Sequence, residues 1–348
     1  MRISMKFPPF IQSGDTIGFA APSFGCAIEP YYSAFQNALK KFEEKGFLTS
    51  LGPNCYSDYG IGISNTPEKC AGEWMQMYLS SESDCLISCG GGELMCEILE
   101  HIDFCQLAAA RPKWFMGYSD NTNLTFLLTT LADTASLYGP CAASFGMEPW
   151  HPAIEDAFHL LQGKKLEMQN YPLWEMESKK DKEHPLEPYH VTTPFQLQRN
   201  PAKTDAEFSG RLVGGCLDCL SILAGTRFDK VAEFAERYKE DGVIWFLEAC
   251  DLNVMDIRRV LWKLKESGWF QYVKGFLIGR PMHFDEPMMG LNRYTAVTGI
   301  LKEFEVPVVM DLDIGHLPPM MPLICGSYAT VRTNRNSIHI KMELKTNE

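Results

Sequence analysis

No window of this 348-residue chain approaches the roughly 18 consecutive apolar residues that a membrane-spanning helix needs. Residues 1–12 (MRISMKFPPFIQ) also lack the continuous apolar core of a secretory signal. A cytoplasmic protein with no membrane partner is the expectation. Basic charge is scarce too: 32 Lys and Arg stand against 44 Asp and Glu, a formal net charge of −12, with no basic block long enough to follow a phosphate backbone. Nucleic acid is therefore not an expected partner. The histidines include no H-E-x-x-H pair, no glycine-rich turn is followed by G-K-[ST], and no segment repeats. Cysteine is plentiful, but the 12 thiols are scattered through apolar segments rather than crowded into a small scaffold, the pattern of reduced, mostly buried cysteines. Cys216 and Cys219 form a C-x-x-C without a second pair or a histidine pair at zinc spacing, on a segment that reads as a packed helix. No metal is expected.

What is present is ordinary globular composition, 45% hydrophobic and 22% charged, over about twice the length of a typical domain. Two domains are expected. Residues 1–162 alternate short apolar runs with helix-like stretches, as a doubly wound parallel sheet does. The predicted strands are residues 16–21, 85–88, 114–116 and 137–138; the predicted helices are 32–47, 68–79, 93–99, 121–131 and 154–161. Periodicity fails over residues 163–208, which hold five prolines and the charged SKKDKEHP run, so this stretch reads as a linker and substrate-facing loop. A second domain, residues 209–348, follows. There residues 211–213 read as extended, 217–223 as a helix and 243–247 as an apolar strand. Ile257, Val260, Leu261 and Leu264 fall on one helical face before Gly268, and the aromatics at 262–269 read as its core packing. Ile338, Ile340, Met342 and Leu344 alternate as in a half-buried strand.

Four places could carry chemistry. In WFMGYSD (114–120) an apolar strand breaks at Gly117 into a turn bearing Ser119, directly before a helix whose N-terminus favours developing negative charge. This resembles a nucleophile elbow, although G-x-S-x-G requires a glycine where Asn121 stands. Ser119 or Asp120 as a simple helix cap is the plainer alternative. CGGG (89–92) follows a second strand and frees backbone N–H groups for an oxyanion, a phosphate or merely a tight turn. Glu248 closes the apolar VIWFL strand, either at a solvent edge or in a cleft, and His316 lies in the rigid loop DLDIGHLPPMMP. Ser119, Glu248 and His316 thus occur in the order serine, acid, histidine, which chain order alone does not join.

GDTIGFAAPS (14–23), the glycines at 90–92, GYSDNT (117–122), YGP (138–140), GRLVGGCLDCL (210–220), FLEACD (246–251) and DIGHLPP (313–319) together resemble the LD-carboxypeptidase family of serine peptidases. The resemblance implies a flavodoxin-like N-terminal domain, a swivelling C-terminal β/α domain, and a homodimer without metal or organic cofactor. It also implies Ser119 as nucleophile, His316 as general base, Glu248 as the acid orienting it, and the N–H groups of Gly91 and Asp120 as oxyanion donors. The stretches at 143–146 and 245–270 are more similar to the branch that contains the microcin C immunity peptidase. The expected substrate is a murein tetrapeptide losing its terminal D-alanine or an aminoacyl nucleotide losing its acyl group, with Trp174 in the loop as the base-stacking residue for the latter. A non-catalytic nucleotide or flavin module, and a cysteine-dependent amidotransferase-like enzyme using Cys89, are the competing readings.

Overall fold

Apolar runs too short for helices, separated by amphipathic stretches, can bury both faces only as the strands of a helix-flanked parallel sheet. In the computed structural model, which describes residues 4–202 and 205–346, four such runs and an exposed edge strand absent from the sequence reading, Leu48–Leu51, form that sheet. Across it lie Leu48–Leu51, Thr16–Ala20, Cys85–Ser88, Trp114–Gly117 and Ser136–Tyr138, all parallel. By chain order this is 2-1-3-4-5, the flavodoxin-like arrangement, whose ligand crevice opens at the carboxyl ends of the strands where the order reverses. A sixth strand, Leu323–Cys325, comes back from near the end of the chain and pairs antiparallel with Ser136–Tyr138.

The second sheet has eight strands. Glu207–Cys216, Val243–Glu248, Val273–Gly279 and Val308–Leu312 form its parallel centre. Tyr328–Asn334 and Ser337–Glu343 extend it antiparallel, the latter burying Ile338, Ile340 and Met342 as their alternation requires. Its outermost strands are Glu167–Gln169 and Gln198–Asn200. Residues 163–208 therefore do more than connect: their short strands close both edges of this sheet, which proline-rich, aperiodic sequence disguises.

Two helical expectations change. Residues 93–99 do not form an α-helix; a 3₁₀ segment, Met95–His101, stands there, because the Glu93 and Met95 amides donate instead to Gly62 O (3.2 Å) and Asp120 Oδ2 (2.9 Å). In helix Val254–Glu266, capped by the Asn253 side chain, Ile257, Leu261 and Leu264 are buried, but Trp262 is 53% exposed while Trp269 beyond the helix is buried. Helix Thr122–Ala132 is buried on nearly every face, since it is sandwiched between the two sheets. No helix among the described residues is long and apolar enough to cross a membrane.

Candidate active site

Strand Trp114–Gly117 ends at the crevice, and the chain must turn at once into helix Thr122–Ala132. The turn is made by Ser119 at φ 63°, a left-handed conformation that costs a non-glycine residue roughly 1–3 kcal/mol and lifts its side chain clear of the strand. Asn121 occupies the place of the second glycine of G-x-S-x-G and does different work: its Nδ2 donates to Gly90 O (2.8 Å) and Tyr118 O (3.0 Å), fastening the glycine run to the turn. Asp120 anchors the turn from below. Its buried carboxylate accepts from Ser23 Oγ (2.5 Å), Met95 N (2.9 Å) and Asn123 Nδ2 (3.0 Å), and burial pushes its pKa up to about 6. Gly91 backs directly onto Ser119, where a Cβ would come within 3.0 Å of the serine Cβ and Oγ. Neither the Gly91 nor the Asp120 amide donates to an acceptor among the described residues.

Opposite the serine stands the second sheet. Glu248, fully buried at the end of its strand, accepts from Tyr138 Oη (2.6 Å) and pairs with His316 Nδ1 (2.9 Å). Gly315 makes that pair possible: at φ 108°, its missing Cβ would lie 2.6 Å from Glu248 Oε2. Burial opposes the charge of Glu248, but His316 and Tyr138 outweigh it and hold the carboxyl below its usual range. Burial likewise opposes the imidazolium, yet Glu248 and the adjoining Cys250 hold His316 well above its usual range. The ring packs 5.0 Å from that of Tyr118, and its Nε2 is buried without a hydrogen-bond partner among the described residues. Ser119, His316, Gly91 and Cys250 line one cavity of about 310 Å³.

The sequence-predicted residues Ser119, Gly91, Asp120, Glu248 and His316 thus converge. Trp174 does not join them. It is buried in a two-residue strand, with its ring edge-on to Phe284 at 5.3 Å and under the Arg280 guanidinium at 4.9 Å, and it is not part of the cavity wall. The linker reaches the site through its backbone instead. Tyr171 N donates to Asp313 Oδ2 (2.8 Å) and Glu175 N to Pro318 O (2.6 Å), so the linker clasps the His316 loop on both sides. Cys89 lines the cavity, but burial, reinforced by neighbouring Cys26 and Cys55, pushes its thiol well above the usual range. Cys216 and Cys219 face no metal-binding cluster among the described residues; Cys219 Sγ lies 3.6 Å from Ser119 O, beneath the turn. Sequence reasoning missed Asn121 and Tyr138 as partners in the site. Asn121 was visible only as a departure from a motif, and Tyr138 only inside the YGP match.

The comparisons agree with this architecture. The profile of the LD-carboxypeptidase N-terminal domain matches residues 17–139, and that of the LD-carboxypeptidase C-terminal domain matches residues 209–331. The microcin C7 self-immunity protein MccF of Escherichia coli is 25% identical over 345 residues, covering 96% of this chain and 95% of that one. A Vibrio cholerae protein named as a carboxypeptidase is 25% identical over 341 residues, covering 97% and 98%. Among solved structures, an MccF-like protein from Bacillus anthracis superposes with TM-score 0.80 at 21% identity, over 97% of this chain and all of that one. MccF itself has been solved with aspartyl sulfamoyl adenosine and with glutamyl sulfamoyl guanosine, at TM-scores of 0.78 and 0.79 to this chain. With both of its domains matched in order across the two sheets that enclose the cavity, the chain belongs to the LD-carboxypeptidase family.

Proposed function

We propose that the protein is a serine amide hydrolase in which Ser119, His316 and Glu248 act as a triad on a small acyl substrate. The observation that carries this reading is the pairing of His316 Nδ1 with buried Glu248, which leaves Nε2 unpartnered on the same cavity as Ser119. A nucleotide-binding module would have no use for that pairing. The raised thiols of Cys89 and Cys141, the latter pushed up to about 12 by burial, speak against a cysteine nucleophile.

In the first half-reaction, neutral Nε2 takes the proton of Ser119 Oγ as the oxygen bonds to the carbonyl carbon. The Gly91 and Asp120 amides donate to the resulting oxyanion. Collapse breaks the carbon–nitrogen bond, and the imidazolium returns its proton to the leaving amine. Water then repeats the cycle on the acyl-serine, with Glu248 holding the ring and countering its charge. The mechanism needs no cofactor. A cavity of about 310 Å³ suits a small molecule rather than a folded polypeptide. End-to-end similarity to MccF favours an aminoacyl-nucleotide amide, with the terminal D-alanine of a murein tetrapeptide as the second substrate to try. The family likeness carries with it a cytoplasmic setting and a homodimer.

Ser119→Ala and His316→Ala should each lower turnover of aspartyl sulfamoyl adenosine or murein tetrapeptide by about 10^6-fold, as when triad members act as a unit. Near-normal hydrolysis by either variant, measured by chromatography of the released amine, would refute the assignment.

A further inference from the structure

The proposed mechanism gives no part to the C-x-x-C of Cys216 and Cys219, yet the fold sets this pair between the nucleophile and the acid of the triad. Cys216 ends strand Glu207–Cys216 beside Glu248, its register partner on the neighbouring parallel strand, and Cys219 lies in the first turn of helix Leu217–Leu223. Side chains in register point to one face of a sheet, which brings the Cys216 thiol within hydrogen-bond reach of the Glu248 carboxylate. The same sulfur lies 3.2 Å from Asp218 Oδ2, and the Asp218 carboxylate accepts from Cys250 N (3.0 Å) and Asp251 N (2.9 Å), holding the chain that leaves Glu248. Cys219 serves the other side. Its Sγ is 3.6 Å from Ser119 O and 4.0 Å from Asp120 Oδ1. The two thiols are also within hydrogen-bond reach of each other, and the backbone repeats the link, with Cys216 N donating to Thr122 Oγ1 (3.0 Å). Packed cysteines commonly serve as small apolar side chains. These two are set among carboxylates instead. Cys219, burial and Glu248 hold the Cys216 thiol well above its usual range; the bond to Cys216 lowers Cys219, but burial, Asp120, Asp218 and Glu248 raise it on balance. Both thiols therefore keep their protons near neutral pH and act as donors, not nucleophiles.

We propose that Cys216 and Cys219 are positioning residues, a linked pair of thiol donors that fixes the nucleophile turn against the acid of the triad. The proposal rests on the serine-hydrolase reading above. Cys219 steadies the left-handed Ser119 through its carbonyl oxygen. Cys216 places its proton between Asp218 and Glu248, so it tempers the negative charge that Tyr138 and His316 meet at Glu248. Neither sulfur belongs to the cavity wall, so the pair acts on the reacting groups rather than on substrate binding.

The test follows kcat and KM against pH, with aspartyl sulfamoyl adenosine and murein tetrapeptide, in full-length protein carrying alanine or serine at position 216 or 219. The His316 ring is titrated by NMR in the same variants, and circular dichroism checks their fold. Cys216→Ala and Cys219→Ala should each lose roughly 3- to 10-fold in kcat with KM almost unchanged, the scale of one hydrogen bond. In Cys216→Ala the acid midpoint of kcat/KM and the His316 titration should both move up by roughly half a pH unit, because Glu248 has lost a donor that competes with the imidazole. Cys219→Ala should leave the His316 titration in place. Cys216→Ser and Cys219→Ser keep a donor and should recover most of the rate, and Cys216→Ser should also return the midpoint. The double alanine variant should lose less than the product of the single losses, since the thiols act as a linked pair. If Cys216→Ala does not fold, Cys216→Val, which fills the space without a donor, takes its place. A kcat within about twofold of the unaltered protein in both alanine variants, or a His316 titration unmoved by losing the Cys216 thiol, overturns the proposal while leaving the hydrolase reading intact. If the unaltered protein hydrolyses neither substrate, the hydrolase reading falls, and the His316 titration alone decides the role of Cys216: an upward shift reversed by serine supports it, and no shift overturns it.

Discussion

His316 is held between two opposed influences. Burial would strip its proton, while Glu248 and Cys250 keep it, and the balance leaves the ring protonated above the usual range near 6.5. In the proposed reaction only the neutral ring can accept the Ser119 proton, so kcat/KM should fall toward acid with a midpoint above 6.5. Glu248→Gln removes the charge that raises the midpoint, so the acid limb should move to lower pH while the plateau drops. An unaltered enzyme with its midpoint below 6.5 would contradict this account of the pair. Folding responds to the same two groups. The His316 contribution is complete below about 6.5 and lost as pH rises through its folded-state value, while that of Glu248 is present above about 4.5 and lost as pH falls through its lowered value. The residues at this scale were legible as motifs because turn chemistry leaves local traces: Gly117 before Ser119, Gly315 and two prolines around His316. The bond from Tyr138 to Glu248 was not. Tyr138 and Glu248 lie 110 positions apart, and nothing local marks two residues that meet only after two sheets have packed.

At the level of elements, the linker teaches the same lesson in reverse. Its prolines and charges correctly marked the absence of periodic structure, but edge strands of two or three residues are too short to have a period, and their pairing lies in distant partners. Once paired, the linker places Tyr171 against the His316 loop through Asp313, and Asp313 is held in turn by a buried ion pair with Arg280. Trp174 covers the Arg280 guanidinium, so the aromatic that looked like a stacking platform for substrate is part of this support. Removing Arg280 strands a buried carboxylate that keeps only a backbone amide. Arg280→Ala should therefore destabilise the fold by about 3–5 kcal/mol in urea titration, and a charge-free Arg280→Met, Asp313→Asn pair should recover part of the loss. A change under about 0.5 kcal/mol in Arg280→Ala would show that the loop is held by other contacts.

For the whole molecule, composition and length pointed to two domains, as the two matched halves bear out, and the two sheets are tied to each other across their junction. Strand Leu323–Cys325 leaves the second half of the chain to complete the first sheet, and Cys216 N donates to Thr122 Oγ1 (3.0 Å) across the junction. Helix Thr122–Ala132, which begins beside the nucleophile, packs against strand Ser136–Tyr138 on one side and strand Glu207–Cys216 on the other. Its Phe126 stacks on Trp269 at 5.3 Å and approaches Trp245 at 6.1 Å, both of them buried tryptophans of the second half. Separating the halves would expose this almost wholly buried helix, with Leu124, Phe126, Leu127 and Leu128, to water, so neither half should retain its structure once the other has unfolded. Denaturation should then be one transition, with far-ultraviolet circular dichroism and tryptophan fluorescence superimposing. Phe126→Ala, which opens a cavity at the junction, should cost about 3–5 kcal/mol and move both probes together. Two resolved transitions, with only the fluorescence of the second half shifted by Phe126→Ala, would mean that the junction is a contact between separately stable domains, and that Ser119 and His316 can part without unfolding either one.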